Sequence, residues 1–234
     1  MKPVKLVPDK TFIWDLHGTL EINNEKAVVE VTNIILSQEG YKARLSLDKC
    51  IELYGRKWID LIRGVLPNMS ADVYTTLAKR CVKYSLDNPD ITRKHIEASP
   101  SARNVLETIA AQDYDQILIS NTQPEAIQMF LSAIGLEGIF DANRVLAVDS
   151  IDYNPAKTKI SVLSEYLSSR PYKSLVVIGD TQEDVDMGKA FRAKTYLFRN
   201  HGMPQIKTDA DSHIYDLNQV LCEVLHKDHE SRFE

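Results

Sequence analysis

Residues 12–19 read Phe12-Ile13-Trp14-Asp15-Leu16-His17-Gly18-Thr19. A second segment, residues 175–184, reads Leu175-Val176-Val177-Ile178-Gly179-Asp180-Thr181-Gln182-Glu183-Asp184. In both, a short apolar run leads into an aspartate and a turn with glycine, as where a buried strand ends. Open α/β sheets bind their ligands at the carboxyl ends of their strands. The two segments therefore predict a carboxylate cluster at that edge, suited to a hard cation such as Mg²⁺ and to the oxygens of a phosphorylated substrate.

Five short apolar runs indicate strands, at residues 11–15, 116–120, 145–148, 174–178 and 195–198. They are rich in Ile, Leu and Val with little alternation, which is typical of parallel strands buried on both faces. Helical patterns lie between them, with apolar residues on one face of each: Ile127, Phe130, Leu131 and Ile134 in one, Ile160, Leu163 and Leu167 in the other. This alternation predicts an α/β fold with a doubly wound, Rossmann-like parallel sheet.

The stretch 21–95 interrupts the alternation, because it has helical patterns and no convincing strand. We predict an all-helical cap domain at residues 21–95, packed over the carboxyl edge of the sheet. The core domain is then formed by residues 1–20 and 96–234. A last amphipathic helix is expected around residues 217–225.

Composition narrows the classes of function. The chain has 234 residues, 44% of them hydrophobic and 26% charged, with a net charge of −5 and no basic stripe, so no nucleic-acid partner is expected. The three cysteines lack CxxC spacing, which favours reduced core thiols. The first ten residues lack the apolar run of a signal peptide, and no window approaches a membrane span. We expect a soluble cytoplasmic protein without a membrane partner, either a monomer or a homodimer.

Four sequence blocks, in order, resemble the haloacid dehalogenase (HAD) superfamily. Its phosphoglycolate-phosphatase-like and β-phosphoglucomutase-like members carry a helical cap after the first strand. The blocks begin at Asp15, at Ser120, near Lys157 and at Gly179. The resemblance implies a Mg²⁺-dependent phosphatase that hydrolyses a small phosphorylated metabolite through an aspartyl-phosphate.

The same resemblance implies roles for individual residues. Asp15 would be the nucleophile and a metal ligand, together with the backbone carbonyl of His17. Asp180 would bind the metal directly, and Asp184 directly or through water. Ser120 and the adjacent Asn121 would hold a phosphoryl oxygen, as a strand-terminal hydroxyl before a helix can.

The third block should supply a lysine that neutralises the phosphoryl group. The segment reads Asn154-Pro155-Ala156-Lys157-Thr158-Lys159-Ile160. Our choice is Lys157, at the expected start of a helix, and Lys159 is the rival.

His17 departs from the family pattern, which has a second aspartate there as acid and base. A histidine, with an unperturbed pKa near 6.5, can take both roles. The alternative is a histidine that only fills space and leaves the aspartyl-phosphate slow to hydrolyse. The protein would then be a weak phosphatase, a phosphotransferase or mutase, or a catalytically silent binding protein.

The cap segment Leu53-Tyr54-Gly55-Arg56-Lys57-Trp58 resembles the family's loop that descends on the substrate. Arg56 or Lys57 could meet an anionic leaving group, and Trp58 could shield it. A solvated basic pair beside a core tryptophan is the alternative.

Overall fold

A computed structural model describes residues 8–148, 157–204 and 206–225 of the protein. Within these ranges the strands are β1 Thr11–Trp14, β2 Glu21–Ile22, β3 Glu97–Ala98, β4 Asp115–Ser120, β5 Val145–Ala147, β6 Leu175–Gly179, β7 Lys194–Phe198 and β8 Ser212–Ile214. The α-helices are α1 Asn24–Gln38, α2 Leu47–Glu52, α3 Trp58–Val65, α4 Ala71–Asp87, α5 Pro89–Arg93, α6 Ala102–Ala110, α7 Pro124–Ala133, α8 Lys159–Leu167, α9 Gln182–Ala190 and α10 Cys222–Leu225.

Six of the strands form one sheet in the order β5-β4-β1-β6-β7-β8, and every neighbouring pair is parallel. The predicted doubly wound parallel sheet is therefore confirmed. All five predicted strands are present, with ends within one residue of those expected. Strand β8 was missed because it has only three residues, of which Ile214 alone is fully buried.

Successive residues of β1 point to opposite faces of the sheet, and each face has its own apolar layer. Phe12 and Trp14 pack with α6 and α7 on one face. Ile13 packs with α8 and α9 on the other. Burial on both faces explains why this strand reads as an unbroken apolar run.

The insert between β2 and β3 carries helices α1 to α5, and these two strands pair antiparallel at its base. The helices have an apolar core of their own, with Val31, Ile35, Ile62 and Leu77 buried in it. This ribbon was not predicted, because strands of two residues leave no periodic signal in the sequence. The division into a core domain and a cap at residues 21–95 stays a prediction.

Two helical expectations need correction. The segment expected to form the last amphipathic helix is a 3-10 helix, Leu217–Leu221, followed by α10. The predicted apolar face is nevertheless buried at Leu217, Val220 and Val224. In α8, Ile160 is 37% exposed, whereas Leu163 and Leu167 are buried.

Of the three cysteines, Cys50 and Cys81 are buried free thiols, as expected, whereas Cys222 is exposed. Among the described residues, none of the helices combines the length and the apolar character that a membrane span requires.

Candidate active site

Three neighbouring strands at the middle of the sheet run parallel and end at the same edge. Trp14, the last residue of β1, pairs with Leu118 of β4 on one side and with Ile178 of β6 on the other. The backbone amide of Asp15 continues this ladder and donates to the carbonyl of Ile178 at 2.9 Å. This register brings the residues that follow β1, β4 and β6 to one edge, as predicted from the two opening segments.

Three carboxylates meet at that edge. Asp15, Asp180 and Asp184 are all buried, and each offers an oxygen within 4.8 Å of the others. Burial raises the pKa of Asp15 to about 6, although the ammonium of Lys159 opposes the rise. Burial, together with the charges of Asp15 and Asp184, raises the pKa of Asp180 well above its usual value. The cluster is thus a site where negative charge is concentrated and poorly solvated.

Lys159 is the cation of the cluster. Its Nζ lies 2.6 Å from Oδ1 of Asp15 and 2.6 Å from Oδ1 of Asp184, and the side chain is buried. Burial alone would lower the pKa of Lys159, but the two carboxylates outweigh it and raise the pKa above its usual value. Two charged hydrogen bonds therefore fix the ammonium against Asp15.

The choice of Lys157 is corrected by this geometry. Thr158 is the N-cap of α8 and Ser161 completes a capping box, so the helix begins at Lys159. Lys157 precedes the cap and is half-exposed. Of the two lysines, Lys159 lines the cavity and Lys157 does not. Residues 154–156, the start of the quoted segment, lie outside the described ranges.

Asp184 is held in place by its own helix. Its Oδ2 accepts from the backbone amide of Thr181 at 3.1 Å and from the Thr181 hydroxyl at 2.7 Å. Its Oδ1 accepts from Lys159. Because both carboxylate oxygens of Asp184 accept hydrogen bonds, the side chain is fixed and in turn orients the ammonium of Lys159.

The donor set fits a hard divalent cation. Carboxylate oxygens are the ligands that Mg²⁺ prefers, and two or three in close contact need a cation to offset their repulsion. Within the described residues, the buried Oδ2 of Asp180 accepts no hydrogen bond of good geometry. Asp15 and Asp180 are accordingly the side chains best placed to hold a metal.

The second predicted block lies at the end of β4. Ser120 is fully buried, and its Oγ accepts from the backbone amide of Thr122 at 3.3 Å. The amide nitrogen of Asn121 donates to Glu183 at 2.6 Å, which ties this loop to the start of α9. Helix α7 then begins at Pro124, as expected for proline in a first turn. Ser120 and Asn121 both line the cavity.

His17 lies in the turn after β1 and is joined to a buried glutamate. Its Nδ1 is 2.5 Å from Oε2 of Glu21, and the amide nitrogen of Asn24 is 3.3 Å from the same Nδ1. The ring packs edge-on against Phe130, with 4.5 Å between the centroids. Burial raises the pKa of Glu21, and His17 opposes this rise.

Gly18 permits the close approach of the cap to the acidic cluster. Its φ is +81°, and a Cβ there would lie 1.9 Å from the hydroxyl oxygen of Tyr54 and 2.2 Å from Oδ2 of Asp180. Tyr54 belongs to the cap segment singled out in the sequence. Burial raises its pKa well above the usual value, and the nearby charge of Asp180 adds to the effect.

A cavity of about 240 Å³ opens from the acidic cluster between core and cap. Arg56 and Lys57 line it. Trp58 also lines it, but its ring nitrogen donates to Thr32 at 2.8 Å, so the residue is anchored in the cap. The cap side of the cavity is largely apolar, and we call it the apolar cap wall, formed by Val28, Val31, Trp58, Leu61, Ala78 and Val82.

Two site residues, Glu21 and Tyr54, were missed by sequence reasoning. One feature of the sequence could have indicated Glu21 as a site residue: it is a charged residue directly after the apolar Leu20, close to the end of the first strand. Tyr54 lies in the cap segment 53–58, but a tyrosine there carries no charge or spacing that marks it as a site residue.

The sequence is similar to that of known hydrolases over most of its length. The sequence model of the family described as haloacid dehalogenase-like hydrolase matches residues 12–198. A phosphoglycolate phosphatase of Aquifex aeolicus is 26% identical over 189 residues, which cover 80% of this chain and 84% of that protein.

Solved structures support the fold. A haloacid dehalogenase-like hydrolase of Streptococcus pneumoniae superposes with a TM-score of 0.73 at 13% identity, covering 93% of this chain and 98% of that one. A protein of Haemophilus somnus described as a predicted phosphoglycolate phosphatase gives 0.70 at 18% identity, covering 92% and 98%. With the family match spanning most of the sequence, the chain belongs to the haloacid dehalogenase-like hydrolases.

Proposed function

We propose that the protein is a Mg²⁺-dependent phosphatase that hydrolyses a small phosphomonoester through an acyl phosphate formed on Asp15. The observation that carries the proposal is the placement of Asp15. It is buried at the strand edge, 2.6 Å from the ammonium of Lys159 and beside Asp180, at the floor of a cavity. A carboxylate can attack phosphorus when cations neutralise the phosphoryl oxygens.

Asp15 and Asp180 would hold the metal with the backbone carbonyl of His17, and Asp184 would support it. A hard divalent cation bound there would neutralise charge on the transferring phosphoryl group and align it with the nucleophile. Lys159 supplies a second, permanent positive charge. Its ammonium contacts Asp15 and Asp184 at 2.6 Å each.

The reaction would take two steps. An oxygen of Asp15 attacks phosphorus, the bond from phosphorus to the leaving oxygen breaks, and His17 gives its proton to that oxygen. A water molecule then attacks the phosphorus of the phosphoaspartate, and His17 takes a proton from it. The acyl phosphate bond breaks, which returns the Asp15 carboxylate and releases inorganic phosphate.

The phosphoryl oxygens need donors as well as cations. Ser120 and Asn121 are proposed for this role, together with the backbone amides of the loop before α7. Support comes from their place in the lining of the cavity, together with Asp15 and Lys159. The fully buried Ser120 hydroxyl can be fixed by its neighbours at no further entropic cost.

The substrate is proposed to be a small phosphorylated metabolite, in line with the phosphatase name of the Aquifex relative. Arg56 or Lys57 would meet an anionic leaving group, and both residues line the cavity.

The direct test is phosphate release from p-nitrophenyl phosphate and a panel of phosphorylated metabolites, with Mg²⁺ or with EDTA. Wild type is compared with Asp15→Asn and Asp180→Asn. The matched control is Asp186→Asn, since Asp186 lies on the same helix as Asp184 but is exposed and bonded to Gln182. Circular dichroism verifies that each variant is folded.

The proposal expects metal-dependent release by wild type and the control, and its loss in both site variants. Turnover that survives Asp15→Asn would contradict the nucleophile. Release that depends on an added acceptor alcohol would identify a phosphotransferase, and silence of the folded wild type on the whole panel would indicate a binding protein.

A further inference from the structure

Glu21 is a buried acid that the proposed reaction does not use. Its side chain is fully buried at the start of β2, and its ion-pair partner among the described residues is His17. Within the same part of the chain its other oxygen, Oε1, has no hydrogen-bond partner. A buried carboxylate with one oxygen unpaired destabilises a fold, so stability does not account for it.

The main chain of Glu21 is fixed by two backbone contacts. Its carbonyl accepts from the amide of Gly18 at 2.7 Å, and its residue pairs with Ala98 in the β2–β3 ribbon. The turn from β1 to β2 therefore fixes Glu21 relative to His17, which lies in the same turn. The imidazole is further confined by the edge of the Phe130 ring.

The contact has a chemical consequence for the ring. The carboxylate of Glu21 lies 2.5 Å from Nδ1, much nearer than the side-chain nitrogen of Asn24 at 3.3 Å. The nearer, charged partner sets the tautomer and keeps the ring proton on Nδ1, as in carboxylate–histidine pairs elsewhere. Nε2 is then the nitrogen that can accept and give a proton. His17 lines the cavity together with Asp15.

We propose that Glu21 is a positioning residue that fixes the ring orientation and tautomer of His17, so that Nε2 carries the proton in both steps. The inference rests on the proposed function, since it assigns His17 the acid and base role. The role also explains how a histidine can serve at position 17, because its carboxylate partner, Glu21, follows four residues later at the start of β2.

The test is a double-mutant cycle on Mg²⁺-dependent hydrolysis of p-nitrophenyl phosphate. The variants are Glu21→Gln, His17→Ala and the double variant. The control is Glu30→Gln, because Glu30 makes a like contact with His95, 2.6 Å from its Nε2, on the outer side of the cap. Glutamine keeps the size of Glu21 but can present its amide group to Nδ1.

We expect Glu21→Gln to lower kcat roughly 10- to 100-fold, the usual effect of removing a carboxylate that orients a histidine, with KM nearly unchanged. In the His17→Ala background the same change should have no further effect, and Glu30→Gln should behave as wild type. An equal loss of kcat in the presence and absence of His17, or a change confined to KM, would overturn the proposal.

A second measurement does not need turnover. Nitrogen-15 NMR of the histidine rings, with His17 assigned by its substitution, reports which nitrogen carries the proton at mildly alkaline pH. We expect the Nδ1–H tautomer for His17 in wild type and a mixture in Glu21→Gln. An Nε2–H tautomer in wild type would overturn the positioning role. A wild type that is silent on every phosphate ester but shows Nδ1–H would overturn the proposed function and support the role of Glu21.

Discussion

Replacing Lys159 by methionine removes the ammonium that lies 2.6 Å from both Asp15 and Asp184 and keeps most of the side chain's apolar volume. The variant leaves two buried carboxylates facing each other without a cation. It tests whether this lysine is the cation of the site, which the sequence could not decide between Lys157 and Lys159.

The expected loss of stability follows from the burial of the network. Removing one partner of a buried ion pair costs about 3–5 kcal/mol, because the remaining charge stays desolvated. For a chain of this size each kcal/mol shifts the melting temperature by roughly 2–4 °C, so the drop should be roughly 6–20 °C. Lys159 lowers the pKa of Asp15, so without it Asp15 binds a proton more readily. The destabilisation should therefore be smaller below about pH 6 and larger above it.

The assays are thermal unfolding followed by circular dichroism at two pH values, and phosphate release with Mg²⁺. Loss of a fixed cation beside the nucleophile should lower kcat by about 10²–10³-fold. Lys157→Met is the matched control, since that lysine is two residues away, half-exposed and outside the cavity lining. Its stability should change by no more than about 0.5 kcal/mol.

The opposite pattern would refute the reasoning. If Lys157→Met lost activity while Lys159→Met melted and turned over like wild type, the ion-pair network would not be the catalytic cation site.

Three further predictions concern the metal, the turn and the leaving group. Because burial raises the pKa of Asp15 to about 6, the folded, metal-free protein binds a proton there and gains stability as pH falls through that value. Mg²⁺ must displace this proton, so the Mg²⁺ affinity measured by calorimetry should strengthen from about pH 5 to pH 7. An affinity that does not change with pH would contradict this. Gly18→Ala should lose Mg²⁺ binding, because the new Cβ would lie 2.2 Å from Oδ2 of Asp180. The control Gly40→Ala has open space around the new Cβ, so it should bind Mg²⁺ as wild type does in the same titration. The apolar cap wall should favour longer alkyl phosphates, with kcat/KM rising about fourfold per methylene from ethyl to butyl phosphate; a flat or falling series would show that the leaving group does not reach this wall.

The fold could be predicted because its decisive signals are local and strong. Strands β1 and β6 are buried on both faces, so each reads as an unbroken apolar run. The aspartates and glycines that follow them lie at the carboxyl edge for a topological reason that holds in any such sheet. Strands β2 and β3 escaped notice because two residues carry no period.

The site was less predictable where it depends on helix phase and turn geometry. Lys159 rather than Lys157 enters the cluster because Thr158 caps α8, and the Thr158–Ser161 capping box is a signal that the sequence does contain. The pairing of His17 with Glu21 depends instead on the left-handed turn at Gly18, with φ of +81°. No periodic pattern encodes that contact.

The most direct test of the central claim is to trap phosphate on Asp15. The enzyme, mixed with Mg²⁺ and p-nitrophenyl phosphate, is quenched in acid within the turnover time, digested and analysed by mass spectrometry, with Asp15→Asn as the control. The account predicts one phosphate on the peptide that contains Asp15, labile to hydroxylamine and absent from the control. Sustained turnover with no phosphate on that peptide, or phosphate on another residue, would contradict it.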